Sequence, residues 1–386
     1  MSYRIKKTKP EYFLPQTSRH AFYLAGRARH PNHESTRRQN FLPHCSFFFD
    51  MRINLPLLIL VLLFLQNGIL AAVREIALPI APPYASNRKM LPTDFVRLDW
   101  KDPARDRNVP AKIYLPTEGA GPFPVIIFSH GLGGTREGYE YLGRQWAANG
   151  YVVVHLQHVG SDDSAWRNQD QPMQSMRKAA GAQNAIARPK DVKFAVVQLQ
   201  DINNSDPKLK GKLDLSKLAI AGHSFGAQTA MLIAGQRLGG ALTAARLGEL
   251  SDDRFKAVLA MSESVPVNRA KLDEIYANIR IPTFFMSGTE DDSPLGDTKA
   301  SERHLPFDHT TANPTYFLNL TGGDHMVFSG RLGMARPGDD EHQKLIRLTS
   351  TAFFDAILKD DAAAKTWLAG DGVEAALGEQ GTIQRK

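Results

Sequence analysis

Cysteine is all but missing: among 386 residues the one example is Cys45. A lone thiol closes no intramolecular disulfide and provides no thiolate set for a structural metal, so stability has to come from a buried core. Surplus charge is also missing once the chain is divided. The net charge is +7, yet residues 1–72 hold ten Lys and Arg against three Asp and Glu, which accounts for the whole excess. Residues 73–386 are left with 37 basic and 37 acidic side chains. A region so balanced has no electrostatic footprint for a polyanion, which excludes nucleic acid as a partner class. Internal repeats and long low-complexity tracts are lacking as well. Metal chemistry has little to work with, because the pairs Asp162-Asp163 and Asp291-Asp292 have no His or carboxylate at ligand spacing.

Long apolar runs are scarce, and the most apolar stretch is residues 55–65. It follows Met51-Arg52 and leads to Ile69-Leu70-Ala71-Ala72. A basic start, a short apolar stretch and a small-residue exit read as a secretory signal peptide over residues 51–72, cut after Ala71 or Ala72. The rival is an anchoring helix over residues 55–73, and only in that case would a membrane be a partner. Residues 1–50 then read as an over-extended start or a disordered basic tail. Residues 73–93 contain Pro79, Pro82, Pro83 and Pro92 and read as a linker.

What is present is an alternation. Extended runs at residues 95–100 and 111–115 flank a polar turn, which signals a leading hairpin. Further strands are expected at 124–128, 151–156, 217–221, 255–261, 281–286 and 316–320. Helices are expected at 137–149, 191–199, 225–236, 269–277 and 341–358. Strands that are apolar throughout, alternating with helices, predict an α/β fold with a mostly parallel sheet covered on both faces. One domain over residues 94–370 is the simplest accounting, with a cap inserted at about 161–188 and a flexible tail at 371–386. In the cap, Trp166, Met173 and Met176 either line an acyl pocket or pack the cap onto the core.

Gly222-His223-Ser224-Phe225-Gly226 follows a strand and opens a helix. A nucleophilic serine needs such a turn, which lifts Oγ clear of the sheet beside the helix N-terminus. The turn is so tight that the flanking positions must be glycine. Ser129-His130-Gly131-Leu132-Gly133-Gly134, directly after another strand, suits an oxyanion hole formed by the N–H groups of Leu132 and Phe225, with Gly131 and Gly133 as alternative loop donors. No Gly-Lys-Ser/Thr follows, which argues against a phosphate loop. The acid is expected after the strand at 281–286; Asp291 is the choice, Asp292 the neighbour that rivals it, and Glu263 a more distant rival. The base is expected last, at His325 after a Gly-Gly turn, ahead of His304 and His309. Ser224, Asp291 and His325 thus follow the chain order used by the α/β-hydrolase fold.

With these residues in hand, the chain resembles the group called predicted dienelactone hydrolases, which is similar to platelet-activating-factor acetylhydrolases. The resemblance covers about residues 99–368. Its marks are Asp102-Pro103-Ala104-Arg105-Asp106-Arg107, Tyr114-Leu115-Pro116, the 128–133 loop, Arg188-Pro189-Lys190-Asp191, the 222–227 turn and the 288–294 segment. It implies a carboxylic (acyl) ester hydrolase, with oxyanion donors at Leu132 and Phe225. Ser224 stands where dienelactone hydrolases carry cysteine. In the acetylhydrolases the acid follows an earlier strand, where this chain has Met261-Ser262-Glu263-Ser264. The expectation is therefore a secreted serine esterase acting on a small-molecule or lipid ester, needing no cofactor. Polyester or lipid hydrolysis and phospholipid-type acetylhydrolysis are variants of it. A non-catalytic binding protein on the same fold is the alternative from another class.

Overall fold

The computed structural model describes residue 84 and residues 89–238, 250–330 and 335–386. The segments read as an over-extended start and a signal peptide, and most of the linker, lie outside the described residues. Among the described residues, no helix is long and apolar enough to cross a membrane.

Among the described residues, nine strands form one sheet: Thr93–Asp102 (β1), Arg107–Pro116 (β2), Phe123–Ser129 (β3), Val152–Leu156 (β4), Leu213–His223 (β5), Phe255–Met261 (β6), Thr283–Glu290 (β7), Thr315–Asp324 (β8) and Gly381–Arg385 (β9). Their order is β1-β2-β4-β3-β5-β6-β7-β8-β9. Strands β3 to β8 run parallel to one another, while β1, β2 and β9 are antiparallel to their neighbours. The expected α/β-hydrolase architecture, with its leading hairpin, is what the chain adopts.

The central strands read as near-continuous apolar runs because both faces are covered. Alternate side chains divide the core in two. Val125 and Ile127 of β3 join Val192, Val196 and Met231 on one face. Ile126 and Phe128 join Leu142, Trp146, Ile346 and Phe353 on the other. The helices on the first face are Ala182–Ser205 (α3), Phe225–Ile233 (α4), Leu272–Tyr276 (α5) and Leu305–His309 (α6). On the second lie Glu140–Ala148 (α1), Asp339–Leu358 (α7), Ala362–Ala369 (α8) and Gly372–Leu377 (α9).

Three expectations on boundaries change. The first helix was expected from residue 137 but begins at Glu140, because Tyr139 sits at φ 59, a left-handed conformation that no helix interior accepts. In the expected cap, residues 161–188 supply a short 3-10 turn and the helix Pro172–Ala179 (α2), but from Ala182 onward they belong to α3, a 24-residue helix. Pro189 lies inside that helix, and Arg188 and Asp191 point inward, so neither the proline rule nor apolar spacing reveals its first turns. The segment 371–386, expected as a flexible tail, is ordered: α9 leads into β9, which pairs antiparallel with β8. Arg385 holds it down, with Nη1 2.5 Å from Glu374 and Nε 2.6 Å from the Leu368 carbonyl. A polar edge strand of five residues carries almost no apolar signal, which is why it reads as a tail.

Candidate active site

The turn between β5 and α4 puts Ser224 at φ 56, ψ −120. This is strained backbone for a residue with a side chain, and such strain clusters at functional sites. Its flanking glycines are obligatory: a Cβ on Gly222 would lie 2.1 Å from the Gly226 carbonyl oxygen, and one on Gly226 only 1.9 Å from the Ser129 carbonyl oxygen. The Ser224 N–H donates to the Met261 carbonyl at 2.8 Å, which ties the turn to β6.

His325, just past β8, brings its Nε2 to 2.9 Å from Ser224 Oγ. Its Nδ1 lies 2.7 Å from Asp291 Oδ1, so Nδ1 carries the proton and donates to the carboxylate. Asp291 is fully buried at the end of β7 and accepts further hydrogen bonds from Ser287 Oγ at 2.9 Å and Arg303 Nη2 at 3.0 Å. Burial alone would raise the Asp291 carboxyl, but the bond from His325 and the Arg303 charge outweigh it and hold it below its ordinary value. Arg303 itself is anchored on the Ser262 and Glu263 carbonyls at 2.8 and 2.7 Å. It was not singled out in the sequence, where nothing marks it as more than one arginine of a polar loop.

The rival residues are engaged elsewhere. Asp292 faces solvent, where it accepts from the Ala300 N–H and pairs with Lys299, both at 2.9 Å. Glu263 is buried and accepts from Gln236 Nε2 at 3.2 Å, and burial pushes its carboxyl up to about 8. His304 and His309 pair with Asp308 and Asp273 on the surface.

In the glycine loop after β3, Gly131 donates its N–H to Tyr139 Oη at 3.1 Å, and Gly133 donates to the Ser161 carbonyl at 2.9 Å. Those two donors are taken. The N–H groups of Leu132 and Phe225 have no acceptor among the described residues, and both residues line the cavity beside Ser224. Arg188, wholly buried, holds this arrangement from behind. Its guanidinium donates to Ser129 Oγ, to the His130 carbonyl, to Ser161 Oγ and to Thr229 Oγ1. It thus joins the loop, the start of the cap and α4.

A buried chain continues outward. His158 accepts from Ser129 Oγ at 2.9 Å and donates to Asp191 at 2.9 Å, and Asp191 takes Arg105 and Arg107 at 2.8 and 2.7 Å. The two charged motifs of the sequence, at 102–107 and 188–191, are therefore one network that braces the loop from the β1–β2 hairpin.

The cavity above Ser224 has a volume of about 480 Å³. Met173 and Met176 of α2, with Leu295 and Met326, give it apolar walls, while Gln228 and Ser264 add polar atoms; none of its described lining residues is Asp, Glu, Lys or Arg. Trp166 is half-exposed outside this lining and donates Nε1–H to the Gly133 carbonyl at 2.8 Å, so of the three cap residues the two methionines face the cavity. Among the described residues, no three His, Cys, Asp or Glu side chains form a set that could hold a metal ion.

Platelet-activating factor acetylhydrolase of Cavia porcellus is 29% identical, over 51% of this chain and 47% of its own length. The Bos taurus protein of the same name is 27% identical over 48% and 44%. Cutinase est2 of Thermobifida alba is 24% identical over 56% of each chain. The chain thus spans about half the length of the curated relatives it matches. The profile of the family described as platelet-activating factor acetylhydrolase, isoform II, matches residues 104–195 and 191–301, just over half of the chain. The chain belongs to the platelet-activating factor acetylhydrolase isoform II family.

Proposed function

We propose that this chain is a serine esterase that hydrolyses neutral carboxylic esters through an acyl-enzyme intermediate. The observation that carries the reading is the continuous line of hydrogen bonds from Ser224 Oγ through His325 to buried Asp291. In this mechanism His325 Nε2 takes the proton of Ser224 as Oγ attacks the ester carbonyl. The oxyanion is met by the N–H groups of Leu132 and Phe225, the latter at the N-terminus of α4 where the helix dipole favours negative charge. His325 then protonates the leaving alkoxide, and a water activated by the same nitrogen cleaves the acyl-enzyme. Asp291 fixes the ring's tautomer and stabilises the imidazolium.

An uncharged cavity with methionine walls supports an acyl group without a carboxylate or ammonium. The names of the relatives, acetylhydrolase and cutinase, are consistent with ester chemistry. Export through residues 51–72 is part of the reading and rests on the sequence pattern; intact residues 1–50 on the mature protein, found by N-terminal sequencing, would refute it.

The direct test is a series of nitrophenyl esters of increasing acyl length, given to the protein and to Ser224→Ala. Activity that Ser224→Ala abolishes is the expected result. An inert wild type would overturn the esterase reading, and equal activity in both would overturn the nucleophile.

A further inference from the structure

We propose that Tyr139 and His223 form a buried bridge that keeps the oxyanion loop in register with the His325 loop, making both positioning residues for the ester hydrolysis proposed above.

The bridge has three bonds. The Gly131 N–H donates to Tyr139 Oη at 3.1 Å, Tyr139 Oη lies 2.8 Å from His223 Nδ1, and His223 Nε2 lies 2.9 Å from the His325 carbonyl oxygen. A single proton arrangement satisfies all three. The carbonyl can only accept, so His223 Nε2 carries the hydrogen. In a neutral ring Nδ1 is then bare, so the tyrosine hydroxyl donates to it and uses a lone pair to accept from Gly131. Burial holds His223 well below its ordinary pKa, which keeps the ring neutral and the direction fixed.

Geometry around the bridge is tight. Tyr139 is held at φ 59, a conformation that a bulky residue adopts only when its surroundings impose it. A Cβ on Gly131 would sit 3.1 Å from Tyr139 Oη and 3.2 Å from His223 Nδ1, so the loop runs directly over the bridge. The rings of His223 and His325 are 4.8 Å apart, and Phe128 packs 4.6 Å from Tyr139.

The two ends of the bridge touch the two loops whose spacing has to be kept. One end captures the Gly131 N–H and so orients the chain just before Leu132, leaving the Leu132 N–H free in the cavity. The other end grips the backbone of the residue that carries the base. Neither Tyr139 nor His223 exchanges a proton with substrate in this scheme; they act through the spacing of the groups that do.

The test uses the full chain with Tyr139→Phe, His223→Phe, the double variant and His223→Gln. Three quantities are read: kcat and KM on a nitrophenyl ester, and the rate at which a fluorophosphonate labels Ser224, per folded molecule and well below each Tm. Misplacing an oxyanion donor or base costs rate rather than binding, so Tyr139→Phe and His223→Phe should each lower kcat and the labelling rate about 10- to 100-fold, with KM within about 3-fold. Because the two residues form one unit, the double variant should lose no more than the worse single. His223→Gln, which can still accept and donate, should recover most of the rate. Multiplying losses in the double variant, or an unaltered kcat and labelling rate in Tyr139→Phe, would overturn the bridge. A wild type active in a Ser224-dependent way beside an unaltered Tyr139→Phe overturns this inference alone; activity that survives Ser224→Ala overturns the proposed function instead.

Discussion

The guanidinium carbon of Arg188 lies 4.6 Å from the centre of the Phe225 ring, stacking a buried cation on the residue whose N–H opens α4. The same guanidinium donates to the carbonyl of His130 in the glycine loop. The two candidate oxyanion donors, Leu132 and Phe225, thus share one anchor. Burial lowers Arg188 from its ordinary value to about 9, which still leaves it charged at neutral pH.

Replacing that anchor should be felt in rate as well as stability. Arg188→Lys keeps a charge but cannot reproduce a planar fork that reaches four acceptors. We expect kcat to fall by about 10-fold or more and the midpoint of urea unfolding to drop, each lost buried hydrogen bond being worth about 1 kcal/mol. Steady-state kinetics and urea titration on the same preparation check both. A variant with wild-type kcat would remove Arg188 from the scheme.

The adjacent aspartates should separate cleanly. Asp291→Asn keeps the shape but offers His325 Nδ1 the wrong partner, and kcat should fall about 10³- to 10⁴-fold. Asp292→Asn loses only a solvent-exposed pair with Lys299, and kcat should stay within about 2-fold of wild type. Parallel assays of the two variants settle which carboxylate serves the base.

Glu263 makes a prediction about pH. Its carboxyl is raised to about 8 in the fold, whereas in the unfolded chain it titrates near the ordinary glutamate value of about 4.3. The folded state therefore binds more protons between those limits. This group's contribution to stability is full below about 4.3 and is lost as pH rises toward 8, by up to about 1.4 kcal/mol per pH unit. Glu263→Gln mimics the protonated form, so its Tm relative to wild type should climb between pH 5 and pH 8 and level off above. A constant Tm difference across that range would show that Glu263 is ionised when folded.

Some of this architecture is local and some is not, and that decides what could be read in advance. The Gly222-His223-Ser224-Phe225-Gly226 turn is specified by steric demands within five consecutive residues, so it stands out in the sequence. His325 and Asp291 lie at strand ends, which an apolar run followed by glycine betrays. The choice between Asp291 and Asp292 is a matter of which way one turn faces, and Arg303, twelve residues further on, decides it. Arg188 lies on an inward helix face where polar residues break the apolar period, so its charge hides the helix that positions it. Tyr139 reads as an ordinary helical residue; its φ of 59 comes from tertiary contacts that no local pattern contains. The cap was expected from a run of polar residues, and only its methionines, not its extent, match the structure.

Strand β9 contributes no side chain to the cavity, yet it occupies the outer flank of β8, the strand that delivers His325. Remove the last residues and β8 becomes an exposed rim with an unpaired row of amides and carbonyls. Trimming that end for expression, or nicking it with a protease, would then act on the proposed reaction centre from a distance, by unmooring the strand behind His325. The segment that looks most expendable is a lateral support of the strand that leads into His325.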